Sequence, residues 1–254
     1  MNSDEHKTPT TNTIALLYRQ ANPVTDSPTT PNLRPIRSFV RREGRITPGQ
    51  ERSLSEYWPK FGINHPGTVL DSQQVFGNSQ PVELEIGCGD GAAMTEMAVL
   101  RPEHNFIGIE VYRPGVGNLL NALSRNQSSN VRVFDADAVE IISSRIADDS
   151  LQRIMVFFPD PWPKKKHHKR RLLQLDFIQL LTQKLKVGGE LHIATDWQDY
   201  AEVVAETLAS VPMLKSLAED SIYSPRPETR PLTKYERRGQ RLGHGVWDII
   251  MLKQ

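Results

Sequence analysis

A carboxylate and a dense run of cations lie together near the middle of the chain, where residues 153–171 read RIMVFFPDPWPKKKHHKRR. Three alternating prolines stiffen the backbone around Asp160 and cannot donate to a sheet. Six Lys or Arg follow within residues 164–171, and no acid occurs until Asp176. Such a cluster attracts a polyanion. The pattern therefore indicates chemistry on a nucleic acid, with a turn-forming Asp beside a solvated basic face as the plain alternative.

A glycine-rich turn, EIGCGDG at residues 85–91, forms a second candidate site. Its glycines, at positions 87, 89 and 91, follow the spacing GxGxG, whereas dinucleotide sites use GxGxxG and place a pyrophosphate at the helix N-terminus. Gly87 and Gly89 would let the backbone approach a ligand, and Gly91 would allow tight helix packing. Glu85 disfavours a phosphate and favours a cationic ligand. The turn therefore favours S-adenosylmethionine over a nicotinamide cofactor.

Further acids follow later apolar runs in the same way. Glu110 is positioned for the hydroxyls of a ribose, and Asp137 for an adenine amine, with helix capping or a strand-end acid as the alternatives. Asp196 follows the fifth run and could accept from a guanine edge, with helix N-capping as its alternative. Because open α/β sheets bind ligands at the carboxyl ends of their strands, we expect these acids to share one edge with Asp160.

The elements that must position these acids follow from the apolar pattern. Short apolar runs, the first four starting about 23 to 25 residues apart, predict a doubly wound, Rossmann-like α/β sheet. Helices are predicted over 171–185, ended by glycines 188 and 189, and over 198–209. The predicted strands are 82–86, 106–111, 131–134, 154–158, 190–194 and 246–252.

Composition and length place three segments along the 254 residues. Residues 1–33, rich in Thr, Pro, Asn and Ser, are predicted to be a disordered leader. Residues 34–80 form a basic N-terminal extension, either an amphipathic surface segment or a second phosphate-contacting arm, and residues 81–254 form the α/β domain. Residues 161–254 carry 16 Lys or Arg against 11 Asp or Glu, whereas residues 81–160 carry 6 against 12, so cations flank an acidic middle.

The sequence gives little support for a disulfide-bonded, metal-binding, membrane-spanning or secreted protein. A single cysteine, Cys88, excludes an internal disulfide and a multi-cysteine zinc site, and the histidines form no ligand cluster, so no metal is expected. No apolar run reaches the roughly 18 residues of a membrane span, and no signal-peptide pattern opens the chain. We expect a soluble, cytoplasmic protein whose oligomeric state, monomer or homodimer, stays open.

In order along the chain, these motifs resemble the bacterial tRNA (guanine-N7-)-methyltransferase family, within the class I S-adenosylmethionine-dependent methyltransferases. The resemblance covers about residues 34–252 and implies a seven-stranded mixed sheet with one antiparallel strand. It rests on RSFVRREGRITPGQ, LEIGCGDG, FIGIEV with RPGVGNLL, FFPDPWPKKKHHKRR, ATDW at residues 194–197, and RPLTKYERRGQRLGHGVWD.

The resemblance also implies functional roles. Asp160 would be catalytic and would contact the cofactor together with Glu85, Gly87, Gly89, Gly91, Glu110 and Asp137. The substrate would be bound by Lys164, Asp196, Thr233, Lys234, Tyr235 and Glu236. RNA would be contacted by Lys166, His167, His168, Lys169, Arg170 and Arg171.

Two other functions are compatible with the same residues. The loop PDPW at residues 159–162 resembles the Asp-Pro-Pro-aromatic loop of amino methyltransferases, in which Asp160 would accept an amine hydrogen. Alternatively, the protein binds RNA without catalysis. A dehydrogenase is disfavoured by the glycine spacing and by Glu85.

Overall fold

Buried apolar runs form one mixed sheet in the computed structural model, which describes residues 44–233, 236–237 and 245–254. The first five strands are parallel, and the last long strand runs antiparallel between the fifth and sixth, giving the order β3-β2-β1-β4-β5-β8-β6. The short β7 also pairs with β8, so the sheet has eight strands rather than the expected seven. The strands are β1 (Val82–Ile86), β2 (Asn105–Glu110), β3 (Val131–Asp135), β4 (Leu151–Phe157), β5 (Leu185–Thr195), β6 (Leu214–Ser216), β7 (Tyr223–Ser224) and β8 (Trp247–Lys253).

Helices cover both faces of this sheet, as the doubly wound prediction requires. One apolar cluster joins one face to α1, α3 and α4, and a second cluster joins the other face to α5, α6 and α7. The helices are α1 (Pro48–Phe61), α2 (Ser72–Phe76), α3 (Ala92–Leu100), α4 (Arg113–Arg125), α5 (Ala138–Arg145), α6 (Leu175–Lys184) and α7 (Gln198–Ala209). Among the residues described, no helix combines the length and apolar character needed to cross a membrane.

The basic N-terminal extension contributes a packed helix to the domain. Thr47 and Gln50 close a reciprocal capping box at the start of α1, and Pro48 occupies its first turn. Leu54 and Phe61 of this helix are buried in the cluster with α4. Arginines 34, 37, 41 and 42 of the possible second arm, and the leader 1–33, lie outside the described residues.

The helix predicted over 171–185 is shorter than expected. It begins at Leu175, because the preceding residues are extended and bury Arg171 and Leu173 instead of forming a helical turn. Glycines 188 and 189 do not end it, since they lie within β5, which begins directly after Lys184. The helix predicted over 198–209 is confirmed as α7.

Candidate active site

The carboxyl ends of β1 to β4 surround a cavity of about 560 Å³. This volume falls within the range of small-molecule sites. Three of the predicted strand-end acids, Glu110, Asp137 and Asp160, therefore line one concavity, whereas Glu85 and Asp196 are not in its lining. Its lining includes Gly44, Gly87, Gly89, Glu110, Tyr112, Asp137, Phe158 and Asp160.

Glu110 holds the glycine turn in place. Its Oε2 accepts from the Gly89 N–H at 2.7 Å, and its Oε1 accepts from the N–H groups of Val111 and Tyr112 at 2.7 and 2.8 Å. Gly89 has φ 59°, with nothing within 4 Å of a Cβ built on it, so this position needs glycine for its backbone and leaves open space for a ligand. Since each carboxylate oxygen has two lone pairs, Oε2 keeps one for a hydroxyl donor.

Glu85 lies beneath the same turn with one unused oxygen. The residue is 4% exposed, and its Oε2 is buried without a hydrogen-bond partner among the described residues. Burial, followed by the nearby carboxylates Glu110 and Asp90, raises the pKa of Glu85 to about 8. A buried carboxyl with an unsatisfied oxygen suits a cationic ligand, which would stabilise its ionised form.

Two of the predicted cofactor residues have additional structural roles. Asp137 lines the cavity and also caps α5, because its Oδ1 accepts from the Val139 N–H at 2.9 Å. Gly91, with φ 74°, begins α3, and a Cβ there would meet the Leu119 side chain, so this glycine allows α3 and α4 to pack closely. Gly91 does not line the cavity.

Asp160 lies at the rim of the cavity and is exposed. Its carboxylate makes no hydrogen bond or ion pair with the residues described. Two bulky residues around it, Phe158 with φ 52° and Trp162 with φ 45°, have left-handed backbone conformations that normally favour glycine. Such conformations cost of order 1 to 3 kcal/mol each and persist where the surroundings fix them, commonly at functional sites.

The basic run continues from this loop as a 3₁₀ helix, Lys165–Arg170. Lys164, Lys166 and Lys169 are exposed on it, whereas His167, His168 and Arg170 are half-buried. The helix folds back on Trp162, whose ring lies 5.8 Å from the His167 ring and 5.0 Å from the Arg170 guanidinium. Desolvation, and then the neighbouring cations, lower the pKa of His167, which therefore stays largely neutral at pH 7.

Arg171 does not belong to this exposed surface, which corrects its assignment as an RNA contact. Its side chain is 1% exposed. The guanidinium donates to the Pro161 carbonyl at 2.8 Å and to the Asp199 carboxylate, and it lies 4.8 Å from the Tyr200 ring. Arg171 therefore ties the loop that carries Asp160 to α7, which is a structural role.

The predicted substrate residues separate into two groups. Asp196 is half-buried at the carboxyl end of β5, beside β4, and makes no hydrogen bond or ion pair with the described residues. It does not cap α7, since Trp197 is the N-cap residue and provides no side-chain capping bond. Thr233 and Glu236 are joined by the Glu236 N–H, which donates to Thr233 Oγ1 at 3.1 Å. Lys234 and Tyr235 lie outside the described residues.

The Glu236 carboxylate is engaged within the protein, and the substrate role that the resemblance implies for it stays a prediction. Both of its oxygens accept from Arg230, a fully buried arginine that the sequence did not single out. No sequence signal marks this arginine, because a lone cation before Pro231 in a proline-rich stretch is typical of an exposed loop.

Cys88 lies between the two glycines that line the cavity. The residue is 7% exposed. Burial, followed by the carboxylates Glu110 and Glu85, raises the pKa of its thiol well above the usual range. Cys88 is therefore a small packing residue and an unsuitable nucleophile.

Solved structures share this fold at low sequence identity. The 16S rRNA methyltransferase KamB aligns with a TM-score of 0.54 and 15% identity, over 77% of this chain and 99% of its own. A structure titled PH0851 aligns with a TM-score of 0.52 and 16% identity, over 68% of this chain and 43% of its own. Together with the strand order, these matches define a Rossmann-like methyltransferase fold.

Comparisons with known sequences show to which family of methyltransferases the chain belongs. A family model described as "Putative methyltransferase" matches residues 79–249. A tRNA (guanine-N(7)-)-methyltransferase of Vibrio cholerae is 55% identical over 218 residues, which are 85% of this chain and 91% of that protein. The protein of the same name from Colwellia psychrerythraea is 50% identical over 222 residues, 87% of this chain and 91% of its own length. The chain belongs to the tRNA (guanine-N(7)-)-methyltransferase family, which confirms the resemblance.

Proposed function

We propose that this protein transfers the methyl group of S-adenosylmethionine to N7 of a guanine in tRNA. The observation that carries the proposal is the carboxylate of Asp160, which has no hydrogen-bond or ion-pair partner among the described residues and lies at the rim of the glycine-turn cavity, shortly before an exposed cationic helix. The cavity, the carboxylate and the cationic helix therefore follow one another in the order that a cofactor, a target guanine and the phosphates of an RNA backbone would need. A tRNA substrate would place the reaction in the cytoplasm.

The cavity suits the proposed cofactor. Glu85 would pair with its cationic methionine end, Glu110 would accept from ribose hydroxyls, and Asp137 would accept from the adenine amine. The buried, unsatisfied oxygen of Glu85 supports this assignment, because the ligand would supply the missing partner. When bound, the cofactor supplies an electrophilic methyl group on a sulfonium.

The protein residues at the rim would act on the guanine. N7 carries an in-plane lone pair and needs no deprotonation, so orientation is most of the task and can contribute roughly 7 to 11 kcal/mol. The product base is cationic, and the Asp160 carboxylate would stabilise that charge as it develops. Asp196, on the neighbouring strand, would accept from the amino and imino groups of the base, and Lys164 would neutralise a phosphate.

Incubation with labelled cofactor and unmodified tRNA, followed by nuclease digestion and mass spectrometry, tests the reaction. We expect 7-methylguanosine. Methylation of an exocyclic nitrogen would instead support the amino-methyltransferase alternative, and binding of tRNA without any transfer would support a non-catalytic RNA-binding protein.

Variants of Asp160 test the assigned role. We expect Asp160→Asn and Asp160→Ala to lower kcat by about 100-fold or more, the typical loss when one electrostatic contact to the transition state is removed. Asp176→Asn is the matched control, since this exposed acid begins α6 outside the cavity. Near wild-type turnover by both Asp160 variants would remove the residue from catalysis.

A further inference from the structure

A chain of buried polar groups crosses β4, β5 and β8 on the sheet face that carries Glu85. Arg153 Nη2 donates to His192 Nδ1 at 2.8 Å, and His192 Nε2 lies 2.7 Å from Asp248 Oδ1. Because Arg153 can only donate, Nδ1 accepts, and Nε2 carries the hydrogen given to Asp248. Burial lowers the pKa of His192, so this ring is neutral at pH 7.

Arg230 extends the chain and joins two carboxylates with one guanidinium. Its Nε and Nη2 donate to the two oxygens of Asp248 at 2.7 and 2.9 Å, and its Nη1 and Nη2 donate to those of Glu236 at 2.5 and 3.1 Å. All three residues are at most 2% exposed. Only an arginine can make two such forked contacts at once, since lysine is a point charge without a planar fork.

The same guanidinium packs against the residues before the catalytic loop. Its central carbon lies 5.8 Å from the ring centres of both Phe157 and Phe158. Phe158 has the left-handed backbone conformation noted above, and its N–H donates to the Ala194 carbonyl at 2.8 Å. Phe158 also lines the cavity, two residues before Asp160. Arg230 is therefore among the contacts that fix a strained residue at the site.

We propose that Arg230 is a positioning residue that locks Glu236, and through it Thr233, to β8 and to Phe158, so that these two residues and the Asp160 loop keep one relative geometry. Glu236 then acts as an anchor for this lock, and its neighbour Thr233 is held through the Glu236 N–H. The inference rests on the proposed function, together with the substrate role that the resemblance implies for Thr233, because both make Thr233 and Asp160 parts of one site.

A double-mutant cycle with Arg230→Lys and Glu236→Gln tests the lock. The lysine keeps the positive charge opposite Asp248 and loses the fork. We expect each single variant to lower kcat by about 100-fold, the loss typical of a displacement near 1 Å at a reacting centre. The double variant should be no slower than Arg230→Lys, because both changes break the same contact. The affinity for S-adenosylmethionine, measured by calorimetry, should change by less than about threefold.

Arg125→Lys is the matched control. This exposed arginine is the last residue of α4 and makes no hydrogen bond or ion pair with the described residues, so we expect kcat within about twofold of the wild type. Multiplicative losses in the double variant would show that Glu236 acts on the substrate independently and would overturn the proposal. A folded Arg230→Lys variant with wild-type kcat would also overturn it.

Hydrogen exchange at the Phe158 amide provides a readout that does not depend on catalysis. We expect Arg230→Lys to accelerate this exchange selectively, while the amides of β1 and β2 keep wild-type protection. If the wild type transferred no methyl group to tRNA, the proposed function would fail, and the exchange measurement would still decide whether Arg230 holds Phe158. Unchanged exchange at Phe158 would overturn the lock itself.

Discussion

Glu85 is a buried carboxyl that suits a cationic ligand, and its raised pKa also makes the stability of the fold depend on pH. Its carboxyl is buried with an unused oxygen, and its pKa is raised from 4.5 to about 8. Between these pH values the unfolded chain ionises at this position while the folded chain stays protonated. The stabilising contribution of the neutral acid is therefore complete below pH 4.5 and is lost as the pH rises to about 8.

Replacing Glu85 with glutamine should remove this dependence. Because an amide does not titrate, we expect Glu85→Gln to raise the free energy of unfolding at pH 8, by at most on the order of 5 kcal/mol, and to change it little at pH 4.5. Thermal melts across this pH range measure the difference. The same variant should bind S-adenosylmethionine at least about tenfold more weakly, because the ligand loses a charged partner. Parallel pH profiles for variant and wild type would contradict the assigned burial effect.

The strand-end positions of Asp160 and Asp196 could be predicted because strand ends are visible in the sequence. An unbroken apolar run such as residues 154–158, followed by prolines and an acid, marks both a buried strand and the acid at its carboxyl end. The Arg230 contacts could not be predicted, since they join residues of β8 and a proline-rich loop through side chains alone. The same limit applies to Arg171, whose burial distinguishes it from the other five cations of the basic run, four lysines and one arginine.

At the scale of elements, the 3₁₀ helix Lys165–Arg170 separates into an exposed cationic side and a side that holds Trp162. The exposed lysines can reach phosphates without disturbing the fold. Arg171, directly after the helix, is the opposite case, because its loss would release the loop from α7.

We therefore expect Lys166→Ala and Lys169→Ala to weaken tRNA binding and to reduce its salt dependence. Each lost phosphate contact should lower the slope of log affinity against log salt by about 0.7 to 0.9. Titrations of tRNA at several salt concentrations measure this slope. Arg171→Met is the matched control, with a lower melting temperature and an unchanged slope. A slope that stays the same in both lysine variants would exclude this helix from RNA contact.

The long strands and α7 followed from periodicity, whereas α6 was given the wrong start and α1, α2, β6 and β7 were absent from the sequence prediction. The start of α6 was placed four residues early, because Leu172 and Leu175 continue the helical spacing although Leu175 is 41% exposed. The strand β6 has only three residues, too few for a periodic signal. Helix α1 did carry a signal, the sequence Thr-Pro-Gly-Gln at residues 47–50, which combines a capping box with an early proline.

At the scale of the whole molecule, the described hydrophobic core runs from Leu54 to Met251. It includes α1, so part of the basic extension belongs to the folded domain. We propose that residues 34–254 carry both the fold and the activity, and that residues 1–33 are dispensable for chemistry.

Two truncated chains test this proposal. A chain of residues 34–254 should keep the wild-type melting temperature and a kcat within about twofold. A chain that starts at residue 63 lacks α1 and should lose several kcal/mol of stability, because the buried side chains of Leu54 and Phe61 are removed. Melting curves and methyl-transfer assays distinguish the two. A substantial loss of transfer by the 34–254 chain would assign residues 1–33 a catalytic or substrate-binding role.

The sole thiol of the protein, at Cys88, lies inside the turn that lines the cavity and is held in its protonated form by burial and the adjacent carboxylates. Since alkylating reagents attack the thiolate, they can modify this sulfur only after the turn has opened and water has entered. The chain thus contains a single-site chemical reporter of opening at this cavity, with no competing cysteine to label.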